Sequence, residues 1–275
     1  LILRTAKSKI SSGENFQKLL PCVTIVPGEV MEVLKPETTG AFTSVDDAMR
    51  HGRWAFHRAK QEKSSISTDP EHPSNSVLRL HGMSGYMYRH MLNNLCAREG
   101  ITYSEVGAWN GSTFLSAVFK AWTCDNWSQF GGQKNVFLNN YLNVKNQEGQ
   151  TEIFESAMHA IQEIDFRKLN FAEQSPIDIY FFDGPHTRED QRDGILCAWE
   201  ALAPISIILV DDWNLENARV GTFAALDQVG ANIHMQVEVH SPPDGWLALH
   251  RDPYAKTRFE MSEWHNGAAM FVVSK

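Results

Sequence analysis

The residues of this chain whose types and spacing can do chemistry fall into two groups. The first is the run EVGAWNGST, Glu105 to Thr113. Gly107 and Gly111 bracket a strand-to-helix turn there, and glycine suits a backbone that must turn left-handed or let a ligand come close. Such a turn leaves free helix N–H groups beside the ligand. Asp125 follows eighteen residues after Gly107, a distance at which an acid suits the hydroxyls of a ribose. The second group is a set of acids that end two apolar runs. IDIYFF stops at Asp183, and ISIILV stops at Asp211 and Asp212. His186 stands three residues beyond Asp183, after Gly184 and Pro185 have forced a turn. The spacing at Gly107 is not that of the dinucleotide fingerprint, because the second glycine of G-x-G-x-x-G would fall where Trp109 stands.

The elements that must position these residues follow from the pattern. Ile101 to Val106 reads as a strand, with a helix of about two turns from Ser112. Further strands are expected at Ala121–Asp125, Thr151–Glu155, Ile177–Phe182, Ile205–Val210, Ile233–Val239 and Ala268–Val273. Helices are expected over Ser44–Lys63 with Ser44 as N-cap, Met87–Arg98, Lys134–Asn143, from Thr187 with an inner stripe of Ile195, Ala198, Trp199 and Leu202, and over Thr222–Val229. The GMSG turn, 82 to 85, is expected to lie over whatever binds at Gly107, and Trp127 or Phe130 offers an aromatic face for a purine. Strands alternating with helices imply an α/β, Rossmann-like, doubly wound and mostly parallel sheet of about seven strands, the last antiparallel. Ligands of such sheets sit outside the carboxyl ends of the strands, where Glu105, Gly107, Asp125, Glu155, Asp183, Asp211 and Asp212 all fall.

The 275 residues divide in this reading into a helical or irregular N-terminal extension, 1–75, that covers the active site, and a second part, 76–275. Val23 to Val26 reads as a short strand and 64 to 76 as a boundary loop. The cluster Arg50, Arg53, Arg58, Lys60 and Lys63 reads as a solvated helix face. A net charge of −8 argues against a nucleic-acid partner. No apolar run reaches the ~18 residues of a membrane span. The four cysteines stand too far apart for a zinc knuckle or a disulfide framework, so a cytoplasmic protein is expected.

EVGAWNGST, Asp125, FFDGPH and ILVDDWN, taken in order over residues 100 to 275, resemble the class I S-adenosylmethionine-dependent methyltransferases. DGPH followed by VDDW resembles more narrowly the metal-dependent O-methyltransferases of the catechol, caffeoyl-coenzyme A and macrolide-sugar kind. The resemblance implies methyl transfer from S-adenosylmethionine to a hydroxyl of a small molecule. Asp183, Asp211 and Asp212 would hold a divalent ion, Mg²⁺ above all, and three carboxylates without a soft ligand suit such a hard ion. The second acid of the pair is Asn in the catechol enzymes and Asp212 here, one charge more. His186 stands where the catechol enzymes have a lysine base and the macrolide-sugar enzymes a histidine, and it titrates near neutrality. On the cofactor side, Glu105, Gly107, Gly111 and Thr113 would lie near the methionine portion and Asp125 on the ribose. The family's acid after the third strand is missing at 157, so Ser156, with Trp127, is expected at the adenine, and Asp183 is counted on the cofactor side as well.

Two other readings compete with this one. A nicotinamide-dependent oxidoreductase lacks the glycine spacing and gives no reason for the acids, and a non-catalytic module on the same fold would leave Asp183, His186, Asp211 and Asp212 without work. A nucleic-acid methyltransferase is disfavoured by the acidic charge. The loop 241 to 263, with Trp246, Tyr254 and the adjacent Trp264 and His265, is expected to wall the acceptor pocket. The sequence leaves the acceptor and a homo-oligomeric state open.

Overall fold

The computed structural model describes residues 2–4, 36–61, 80, 82–117, 120–146, 159–240 and 264–275. The expected strands at Val23–Val26 and Thr151–Glu155, Ser156, and the loops 64–76 and 241–263 lie outside the described residues.

Among the described residues eight strands form one sheet: β1 (Ile2–Arg4), β2 (Thr102–Val106), β3 (Lys120–Asp125), β4 (His159–Glu163), β5 (Ile177–Phe182), β6 (Leu202–Asp211), β7 (Asn232–Val239) and β8 (Ala268–Ser274), in the order β1-β7-β8-β6-β5-β2-β3-β4. β4, β3, β2, β5 and β6 run parallel, while β8 is antiparallel to β6 and β7. β1 adds an antiparallel edge to β7. The expected Rossmann-like, mostly parallel sheet is therefore present. The order reverses direction between β2 and β5, which makes their carboxyl ends the crevice in which such folds bind ligands.

Among the described residues five α-helices flank the sheet: α1 (Val45–Lys60), α2 (Tyr86–Cys96), α3 (Lys134–Lys145), α4 (Arg188–Trp199) and α5 (Glu216–Gln228). β5 is buried throughout because it is covered on both sides. Ile179 and Phe181 join the core shared with α1 and α2, and Tyr180 and Phe182 join the core shared with α4 and α5. α1 opens on Ser44, whose hydroxyl accepts from Asp47 N at 3.1 Å. A buried pair then ties it to the end of α2, with Arg98 Nη2 2.9 Å from Asp47 Oδ2. α1 is thus part of the core, and none of its residues lines the cavity at the strand ends.

β1 was not expected from the sequence, Leu202 opens β6 instead of extending α4, and two further elements differ from the sequence expectation. The two-turn helix after Gly111 is a single 3₁₀ turn, Phe114–Ser116. The strand beside β3 is His159–Glu163. Among the described residues no helix is long and apolar enough to cross a membrane.

Candidate active site

The two sequence groups meet where β2 and β5 diverge. Asp183 N–H donates to Val106 O at 3.0 Å, and Gly107 N–H donates to Cys124 O at 2.9 Å. Gly107 has φ +94, and a Cβ there would stand 1.9 Å from the Asp183 carbonyl oxygen. Glycine is required at this position by the approach of one strand exit to the other.

Around this joint opens a cavity of about 570 Å³. At the ends of β3 and β4 its walls include Trp109, Asp125, Phe130, Ile164, Asp165 and Phe166. At the ends of β5 and β6 they include Asp183, His186, Asp190, Asp211, Asp212 and Asn266. Gly107 and Val106 line the cavity as well, as do Met83 and His265. Trp109, Phe130, Asp212 and His265, four of these lining residues, are non-glycine residues with positive φ between 38° and 54°. Backbone held in that sparsely populated region clusters at functional sites, where the surroundings dictate it.

Asp125 ties the β3 end of the cavity together. Its Oδ2 accepts from Trp109 N at 2.8 Å and its Oδ1 from Trp127 N at 2.6 Å. Each oxygen keeps a lone pair for a ribose hydroxyl. Asp165 follows β4 directly and lines the cavity, so the acid found missing at 157 is supplied eight residues later.

Four expected cofactor contacts lie off the cavity wall. Glu105 is fully buried beneath it, accepting from Tyr103 Oη at 2.6 Å and from Thr113 Oγ1 at 2.7 Å. Burial pushes its carboxyl up to about 8 against the opposing pull of those two hydroxyls. Thr113 is occupied with Glu105. Gly111 faces the Phe137 ring, which a Cβ would meet at 2.8 Å. Trp127 is buried against Phe137, its indole N–H donating to Trp109 O at 2.9 Å, and of the two aromatics expected at a purine it is Phe130 that lines the cavity. Trp264, expected in the acceptor wall, packs against Phe56 and Tyr88 in the core. His265 and Asn266 beside it do line the cavity.

The acidic end has a definite internal order. His186 Nε2 lies 2.6 Å from Asp212 Oδ2, and Asn266 Nδ2 donates to Asp212 Oδ1 at 2.7 Å. Burial pushes the Asp212 carboxyl up. The hydrogen bond and charge of His186, with Asn266 and His265, outweigh it and leave Asp212 below the usual carboxylate value. The Asp212 hydrogen bond in turn raises His186 above the ordinary histidine value, against burial. Asp183 and Asp211 lie well above the usual carboxylate range, through burial first and then the repulsion of the neighbouring acids. Asp211 Oδ1 is buried without a hydrogen-bond partner.

These observations fit a divalent cation. Ligand atoms of Asp183, His186 and Asp212 lie within 4.8 Å of one another. The buried acids repel each other, and a cation relieves that repulsion. All three expected aspartates line the cavity, yet the converging trio has His186 in the place of Asp211. The other end fits an adenosyl group in the same way, with a carboxylate at the ribose position, a second after β4, and aromatic walls.

Comparison with known proteins bears on the family. Among solved structures, the O-methyltransferase TomG from Streptomyces achromogenes is 10% identical over 86% of this chain and 92% of its own, with a TM-score of 0.42. An O-methyltransferase from Bacillus cereus gives the same identity, coverages and TM-score. TrmN from Thermus thermophilus is 13% identical over 73% of this chain and 52% of its own, with a TM-score of 0.44. No curated protein matches the chain. A family model described as a methyltransferase domain matches residues 30–213, well over half of the sequence. The chain belongs to that family of methyltransferase domains.

Proposed function

We propose that the protein moves a methyl group from S-adenosylmethionine to a hydroxyl of a small molecule, with a divalent ion, Mg²⁺ by its donor set, at the acidic end of the cavity. The observation that carries this reading is the His186–Asp212 pair, 2.6 Å apart, beside Asp183 in the crevice that Gly107 and Asp125 share. S-adenosylmethionine supplies an electrophilic methyl group, and the ion supplies Lewis acidity toward the acceptor oxygen.

The chain's own residues bind, orient and take the proton. Asp125 accepts from the ribose hydroxyls, and Asp165 stands at the adenine in place of Ser156. Asp183 and Asp212 would hold the ion, with Asp211 beside them on the cavity wall. His186 in its neutral form keeps a proton on Nε2 for Asp212 and leaves Nδ1 to accept the acceptor's hydroxyl proton. Asp212 fixes that tautomer, and Asn266 fixes Asp212.

A second assignment of His186 follows from the convergence of its nitrogen with Asp183 and Asp212. As a ligand, His186→Ala would lose ion binding together with turnover. As a base, it would lose turnover and keep the ion. The test is transfer of labelled methyl groups to vicinal diols and phenols, with Mg²⁺ present and after chelation, in wild type and Asp212→Asn. Labelled product that vanishes in both cases supports the account. Product that survives chelation and Asp212→Asn alike removes the ion from it.

A further inference from the structure

The turn that precedes α2 stands directly on the turn that follows β2. A Cβ on Gly82 would fall 2.0 Å from Ser112 Oγ, and Ser84 Oγ lies 2.9 Å from the same Ser112 Oγ. Met83, between them, is thereby carried to the cavity wall that it shares with Val106, Gly107 and Asp183. Nothing in the first turn of α2 caps this segment, since Gly85 at its N-cap position has no side chain to do so.

The turn is held by Arg89. This side chain is 4% exposed and folds back along α2. Its Nη1 donates to Leu80 O, its Nη2 to Gly82 O at 3.2 Å and to Ser84 O at 2.9 Å, and its Nε to Ser84 Oγ at 2.9 Å. Buried carbonyls need donors, and the planar guanidinium serves three of them and a hydroxyl from one rigid fork. A lysine has the charge but not that fork.

We propose that Arg89 is a positioning residue of the active site: by clamping Leu80 and the turn Gly82 to Ser84 beside Ser112 it sets Met83 in the wall of the cavity where the methyl donor binds. The assignment rests on the methyl-transfer reading of the cavity for its functional half. Its positional half stands on the geometry alone. Met83 lines the cavity, and Arg89 acts on the cavity through it.

The experiment uses the full chain labelled with ¹³C at its methionine methyls, the Met83 resonance being identified by its loss in Met83→Ala. Arg89→Lys should shift or broaden that resonance while those of the core residues Met91, Met235 and Met270 stay in place. It should also raise the Kd for S-adenosylhomocysteine about tenfold, the equivalent of 1.4 kcal/mol. Met83→Ala should do much the same, and the double variant should be no worse than the larger single loss, as expected of groups that act as one unit. Ser84→Ala keeps Arg89 and breaks the link to Ser112, so it should give a smaller change of the same kind and serves if Arg89→Lys does not fold. An unmoved Met83 resonance in the folded variants overturns the clamp, and additive losses in the double variant overturn the route through Met83. Wild type that takes up no S-adenosylhomocysteine overturns the methyl-transfer reading, while the resonance still decides the clamp.

Discussion

At the scale of single residues, the site is a problem of charge. If His186 is the base, His186→Ala should lower turnover by about 10²–10⁴ with affinity for S-adenosylhomocysteine little changed, as steady-state rates and titration would show. The His186–Asp212 pair also has a defined pH window. His186 titrates higher in the folded protein than in the unfolded chain, so its contribution to stability is complete below its ordinary value and is lost as pH rises through the raised one. Asp212, held low, contributes above its ordinary value and loses that only as pH falls through the lowered one. The Tm difference between wild type and His186→Gln should therefore be largest in mildly acidic buffer and shrink as pH rises; a difference that grows with pH would contradict the pairing. Glu105 has the opposite sign to the usual carboxylate. The unfolded chain ionises it near 4.5 and the folded protein near 8, so stability falls across that interval. Glu105→Gln should flatten the fall, by on the order of a few kcal/mol at pH 8, in denaturant titrations at several pH values. The acids that end apolar runs, Asp183, Asp211 and Asp212, were legible because a carboxylate closing a buried strand stands out in any sequence. That Glu105 lies beneath the wall was not legible, since the hydroxyls that hold it come from Tyr103 on the same strand and from Thr113 across a turn.

At the scale of elements, the joint between β2 and β5 carries the site. Gly107→Ala would place a methyl group within 1.9 Å of the Asp183 carbonyl at positive φ, so either the strand exits part or the chain fails to fold. Loss of cofactor binding with a Tm at least several degrees lower is the expected outcome, measured by calorimetry; a variant as stable as wild type would mean that the turn has room the structure denies. The alternation of strand and helix was readable along most of the chain. What escaped was β4, whose sequence HAIQE is half-exposed at the sheet edge and carries little apolar signal, beside a TEIFE run that looks more like a strand. Misplacing that strand hid Asp165. Asp165→Ala should weaken S-adenosylhomocysteine binding about tenfold, the cost of an unpaired polar contact, while Ser156→Ala should leave it unchanged. The turn after Gly111 also escaped, because STFLSAVF has the apolar content of a helix, whereas the chain enters β3 at Lys120 and leaves room for one 3₁₀ turn.

At the scale of the whole molecule, one cavity along the carboxyl edge of the sheet joins the walls at Asp125 and Asp165 to the acids Asp183, Asp211 and Asp212, and the order of the strands puts the crossover between them. A nicotinamide cofactor would find neither its glycine spacing at Gly107 nor a use for the acids at the far end. The most direct test of the central claim is isothermal titration of the purified protein with S-adenosylhomocysteine and with NADH, each with and without Mg²⁺. The account predicts a saturable heat for the first, about one per chain, and none for the second. Binding of NADH, or of neither compound, would contradict it.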